Sequence, residues 1–236
     1  QDFLQGAGGL AVDGKPSLAS RAPDRDEVAI AIPAEIRGVA AKRRLIEPGE
    51  KRRQARLLGR HDPHVPDGRM VAAVPYDELP SDTVTLVDAL DLCAGRLVNI
   101  EIKSFPQDPE YRDDERVTDL VVALLADRGW ADRVIVSSFG PACLARVREI
   151  APQIPCAVLL YYPADPDEVL DTVIAGGHRI VHPYAPHVDD RFMEAARRRD
   201  LEVNVWTVRD DQATIDRLVD LGVDGIITGS PERVRR

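Results

Sequence analysis

The sequence predicts an α/β fold, a TIM (β/α)8 barrel whose N-terminal part is irregular or incomplete. Three observations carry this. From residue 98 onward, short apolar runs alternate with helical patterns in strict order. Five consecutive runs begin at Val134, Ala157, Ile180, Val203 and Gly225, 22 or 23 residues apart. The chain has 236 residues, and barrels of this class take about 250.

The first of the regular runs is Leu97-Val98-Asn99-Ile100-Glu101-Ile102-Lys103, read as a strand over Val98 to Ile102. Alternate residues of a strand share a side, so Glu101 and Lys103 point one way, about 7 Å apart, and Ile100 and Ile102 the other. The following strands are placed at Val134 to Val136, Ala157 to Leu160, Ile180 to His182, Val203 to Val208 and Gly225 to Ile227. A spacing of 22 or 23 residues holds one short strand, one helix and two tight loops. The intervening stretches carry apolar pairs one helical turn apart, such as Val169/Leu170 with Val173/Ile174, and Ile215 with Leu218/Val219. Asp165-Pro166, Asp189-Asp190 and Asp210-Asp211 mark helix starts, and Gly176-Gly177 and Gly222 mark helix ends. Six strand-helix units are legible in this way, and two more within the first 97 residues would close an eight-stranded barrel. An open doubly wound sheet is the alternative, but no Gly-x-Gly-x-x-Gly follows any strand.

Charge divides the chain near residue 60. Residues 1–60 hold 12 Lys and Arg against 8 Asp and Glu, whereas residues 61–236 hold 19 against 32. We read 1–60 as an atypical segment standing where the first barrel strands belong, 61–236 as the barrel proper, and the whole as one domain. The net charge of −9 speaks against nucleic acid or an anionic membrane surface as partner. No apolar run approaches the roughly 18–20 residues of a membrane span, and the first residues lack the basic start and apolar core of a secretory signal. A cytoplasmic location is therefore expected. Cys93, Cys143 and Cys156 are odd in number and without a Cys-x-x-Cys pair, so they read as small core residues rather than disulfide or zinc sites.

In a barrel, chemistry belongs at the C-terminal ends of the strands. Those positions carry Glu101 and Lys103, Ser137-Ser138-Phe139, Tyr161-Tyr162, His182-Pro183, Trp206-Thr207 and Thr228-Gly229-Ser230. Each also has a plainer reading. Ser137 and Ser138 would cap the next helix, Trp206 would be core, and His182 would be a hydrogen-bonded loop residue. A carboxylate able to hold a cation beside an ammonium able to meet a phosphate oxygen points to phosphate-ester chemistry.

The chain from about residue 61 resembles the glycerophosphodiester phosphodiesterase family. The matching segments are His61-Asp62-Pro63-His64, Asp67-Gly68-Arg69, Tyr76-Asp77-Glu78-Leu79-Pro80, Thr85-Leu86-Val87-Asp88-Ala89-Leu90 and Asn99-Ile100-Glu101-Ile102-Lys103. They continue with Ser137-Ser138-Phe139, His182-Pro183, Val203-Asn204-Val205-Trp206-Thr207-Val208 and Gly222-Val223-Asp224-Gly225-Ile226-Ile227-Thr228. The resemblance implies a hydrolase of lipid and glycerol metabolism that splits small glycerophosphodiesters into glycerol 3-phosphate and an alcohol. It implies a divalent cation, Mg2+ or Ca2+, held by three carboxylates including Glu101. It further implies two histidines for proton transfer, one of them His61. Lys103 would neutralise a phosphate oxygen and Trp206 would line the glycerol side; His182 is taken with them as a substrate-binding residue.

Two parts of the family pattern are missing upstream. Counting back from His61, its Glu-x-Asp falls on Ile46 and Pro48, and its His-Arg near Ser20-Arg21. A reading frame shifted upstream of about residue 60 accounts for this. So does a catalytically impaired barrel that keeps a phosphate- or glycerol-binding pocket. Glu47 and Glu50 could replace the lost ligands, and the nearby His64 could replace the lost histidine. The family's Thr-Asp-x-Pro stands here as Thr228-Gly229-Ser230-Pro231.

Overall fold

The computed structural model describes residues 41–42, 58–59, 64–71, 74–80, 83–104, 106, 111, 114–208 and 211–234. The described residues fall into two compact units, one ending at Leu159 and one beginning at Leu160. The six strand-helix alternations expected from residue 98 are present among them, with bounds within two residues of the sequence reading.

In the first unit, β1 (Ala41–Lys42) and β2 (Leu58–Gly59) form a short antiparallel pair. Helix α1 (Leu86–Leu92) begins at a reciprocal cap, in which the Thr85 hydroxyl accepts from Asp88 N–H and the Asp88 carboxylate accepts from Thr85 N–H, both at 3.2 Å. Strand β3 (Val98–Glu101), helix α2 (Arg116–Asp127), strand β4 (Val134–Ser138), helix α3 (Pro141–Ile150) and strand β5 (Cys156–Leu160) follow. β3, β4 and β5 are parallel neighbours, with Glu101 beside Ser137 and Ser137 beside Ala157. Leu86 and Leu90 of α1, Val121 and Leu125 of α2, and Leu144 and Val147 of α3 bury themselves with Ile100, Ile102, Val134 and Val136. The helices therefore cover the isoleucine side of β3, and strand alternation puts Asn99, Glu101 and Lys103 on the other.

The second unit holds helix α4 (Pro166–Ala175), strand β6 (Ile180–Pro183), helix α5 (Asp190–Arg198), strand β7 (Glu202–Val208), helix α6 (Gln212–Leu221) and strand β8 (Gly225–Thr228). β6, β7 and β8 are again parallel neighbours. Asp165, Asp189 and Asp211 cap the three helices, each side chain accepting from backbone N–H groups of the first turn. α6 ends at Gly222 in the left-handed conformation, φ +69°, which a residue without Cβ adopts at no steric cost.

The fold is thus α/β with parallel strands and intervening helices, as expected. The two strand-helix units that would close an eight-stranded barrel fall in the stretch before residue 98, most of which lies outside the described residues.

Candidate active site

The open end of β3 is fixed by the residue between its two charges. Ile102 N–H donates to the Ser137 carbonyl at 2.8 Å, and its own carbonyl accepts the Ser138 hydroxyl at 2.7 Å. The same hydroxyl accepts Gly140 N–H at 3.0 Å. Gly140 is required there, because a Cβ on it would stand 1.9 Å from the Ser104 carbonyl oxygen. Both peptide groups flanking Ile102 are therefore tied to the β4 end, and Glu101 and Lys103, each half-buried, are held on one face by backbone geometry. The hydroxyls of Ser104 and Thr118 both donate to Glu115, at 3.2 and 2.9 Å, fastening the strand end to the start of α2. Ser138 is thus a positioning residue rather than a helix cap; α3 begins at Gly140 with no side-chain cap. No sequence signal distinguishes this role, since it depends on the close passage of Ser104 and Gly140.

Oxygen atoms collect on the Glu101 face. Ser137 is its neighbour in the β4 register, and Ser137 Oγ and Asn99 Oδ1 are buried without hydrogen-bond partners among the described residues. Carboxylate, amide and hydroxyl oxygens are the donors a hard divalent cation takes. Yet no three His, Cys, Asp or Glu side chains come together as a metal site among the described residues. The face suits a cation in donor type, with Glu101 as its carboxylate.

At the end of β7 in the second unit, Trp206 is held by its indole Nε1–H, which donates to the His182 carbonyl at 2.5 Å. Its ring lies 5.3 Å from Tyr184 and 6.0 Å from Tyr161, the latter nearly parallel at 23°. Tyr161 meets Tyr162 edge-on at 5.1 Å. These tyrosines remain open, 48% and 71% exposed. A small cleft beside them is lined by Leu160, Tyr162, Ala164, Val169, Pro183, His187 and Phe192. Rings at the strand ends with one face open suit the carbon skeleton of a small ligand.

His182 is on β6 and wholly buried, and burial pushes its pKa down to about 4. Its Nε2 faces Asn204 Nδ2 at 3.4 Å. Of the five residues expected at the site, Glu101 and Lys103 come together on one strand face, and His182 and Trp206 come together through a hydrogen bond. His61 lies outside the described residues. His64 is exposed on the turn closed by its bridge to Met70. In that turn Arg69 meets Asp67 at 2.9 Å and Glu78 at 2.8 Å, so two of the resembling segments are partners of one ion pair.

The sequence pattern of the glycerophosphoryl diester phosphodiesterase family matches residues 51–233. The chain is 27% identical over 154 residues to a glycerophosphodiester phosphodiesterase of Caldanaerobacter subterraneus, covering 63% of this chain and 58% of that protein. It is 31% identical over 166 residues to one of Bacillus altitudinis, covering 67% and 64%. The chain thus spans less than two thirds of the length of these curated relatives. Among solved structures, a glycerophosphodiester phosphodiesterase from Parabacteroides distasonis aligns with TM-score 0.64 at 21% identity, over 85% of this chain and 84% of that one. An Oleispira antarctica phosphodiesterase in complex with its product sn-glycerol-3-phosphate aligns with TM-score 0.66 at 17% identity, over the same shares. At these identities the two structures establish likeness of fold.

Proposed function

The chain belongs to the glycerophosphoryl diester phosphodiesterase family, and from that premise we propose that it hydrolyses small glycerophosphodiesters to glycerol 3-phosphate and an alcohol. The observation that carries the reading is the clamped end of β3, which presents Glu101 and Lys103 side by side on the face away from the helices. A phosphodiester is anionic and inert in water. Its cleavage needs charge neutralisation and a proton delivered to the leaving alkoxide. Lys103 would take a phosphate oxygen, His61 would move the proton, and Trp206 with its tyrosine neighbours would line the glycerol side. His182, buried as it is, would serve that side by holding the indole. A divalent cation, Mg2+ or Ca2+, is part of the proposal, with Glu101 as one of its ligands. The product bound by the Oleispira antarctica relative supports the choice of substrate class.

We keep within the proposal one domain overall, with 1–60 in the place of the first barrel strands and 61–236 as the barrel, and a cytoplasmic location, which three free cysteines support. We also propose a reading frame shifted upstream of about residue 60; the family match begins at residue 51, after the positions where Glu-x-Asp and His-Arg would fall. Sequencing the encoding DNA tests this: an alternative frame should restore His-Arg-Gly and Glu-x-Asp, and its absence would sink the idea. The activity itself is tested by release of glycerol 3-phosphate from glycerophosphocholine by the purified chain, with added Mg2+ or Ca2+ and with a chelator. Cation-dependent release is expected; none from a folded chain would contradict the proposal.

A further inference from the structure

Three polar side chains on β6 and β7 form a chain that the proposed chemistry does not use. Glu202 and Asn204 share one side of β7 with Trp206. Asn204 Nδ2 lies 2.8 Å from Glu202 Oε1 and 3.4 Å from His182 Nε2. Asn204 and His182 are both fully buried. The neighbours decide which way the Asn204 amide faces. A carboxylate only accepts hydrogen bonds, so the atom 2.8 Å from Glu202 is the amide nitrogen. The carbonyl Oδ1 then turns toward Gly225, where a Cβ would stand 2.2 Å from it. The second N–H of the same nitrogen faces the imidazole. A donor opposite Nε2 makes Nε2 the bare, accepting nitrogen and leaves the ring proton on Nδ1, which is buried without a hydrogen-bond partner among the described residues.

We infer that Glu202 and Asn204 are positioning residues that hold His182 as the neutral Nδ1–H tautomer, and that this ring carries no proton in the reaction. The link to Trp206 is the His182 carbonyl, which accepts the indole N–H at 2.5 Å. The inference also removes a candidate for the second proton-transfer histidine, because the reactive nitrogen of His182 is already committed to an amide N–H inside the protein. Burial, which lowers the pKa of the ring, agrees with a permanently neutral imidazole. Glu202 is exposed as a residue, yet desolvation raises its carboxyl, with the Asn204 bond lowering it and Asp224 raising it again.

The kinetic part of this inference rests on the proposed activity; the tautomer does not. Imidazole 15N NMR on the full chain, without substrate, reads it directly, with His182→Gln identifying the signal. The expected wild-type ring is protonated on Nδ1 and bare on Nε2 at pH 7 and still singly protonated at pH 6. A ring protonated on Nε2, or doubly protonated at pH 6, overturns the inference. In Asn204→Asp an accepting oxygen replaces the donor, so the proton should move to Nε2; a ring unchanged in that folded variant also overturns it. With glycerophosphocholine the same variant should keep kcat within about twofold, as expected where the ring carries no proton in the reaction. A collapse of kcat in that folded variant would make His182 a proton carrier and overturn the inference. A wild-type chain with the Nδ1–H tautomer and no hydrolysis would sink the functional reading and leave this inference standing.

Discussion

The β3–β5 and β6–β8 units each end in residues proposed to meet the substrate, and they fix them by opposite means. Glu101 and Lys103 are set by backbone, through the two hydrogen bonds that pin Ile102 and the close passage of Gly140 under Ser104. Trp206 is set by a side-chain bond, its indole N–H on the His182 carbonyl. An indole works through its ring, and its N–H is the natural handle.

Four variants test this contrast. Lys103→Met should have the largest effect, lowering kcat by about 10²–10³ with little change in unfolding, the range for losing one preorganised charge-stabilising group. A small fall in kcat with a large rise in KM would place Lys103 on the binding side. Gly140→Ala should destabilise the chain by about 3 kcal/mol in urea unfolding, since the added carbon meets a backbone carbonyl that cannot swing aside. Unchanged stability would show that the clamp yields. In the second unit the lever is pH. The native pKa of His182, about 4, lies below the ordinary unfolded value near 6.5, so the unfolded chain binds more protons between them. Stability from this group is complete above about pH 6.5 and declines toward pH 4, by about 2 kcal/mol at pH 5. His182→Gln should flatten that slope; a parallel slope in the variant would assign it to other groups. Thr85→Ala should cost about 1 kcal/mol, the usual worth of a helix cap, and leave KM unchanged.

The alternation of apolar runs from residue 98 was enough to place all six strands, because each strand and helix answers to local pattern and to aspartate or glycine at its ends. Glu101 and Lys103 were legible for the same reason, as strand period alone assigns their face. His182 shows where local reading stops: at a strand end it looks like a mouth residue, and only the neighbouring strand reveals that Asn204 covers it. Ser138 and Gly140 could not be read at all, since their work is to receive Ile102 and to let Ser104 pass, contacts made 36 residues apart. Upstream, Ile46 and Pro48 stand where carboxylates are wanted, with Glu47 and Glu50 beside them off the expected positions.

Glu101 and Lys103 are proposed to carry the chemistry, and Trp206 with its tyrosine neighbours to bind. The most direct test is steady-state release of glycerol 3-phosphate from glycerophosphocholine at saturating divalent cation by Glu101→Gln, with urea unfolding as the control for folding. The expected result is a kcat at least about a hundredfold below wild type in a chain that unfolds at the wild-type midpoint. A folded Glu101→Gln enzyme that keeps the wild-type kcat would contradict the account.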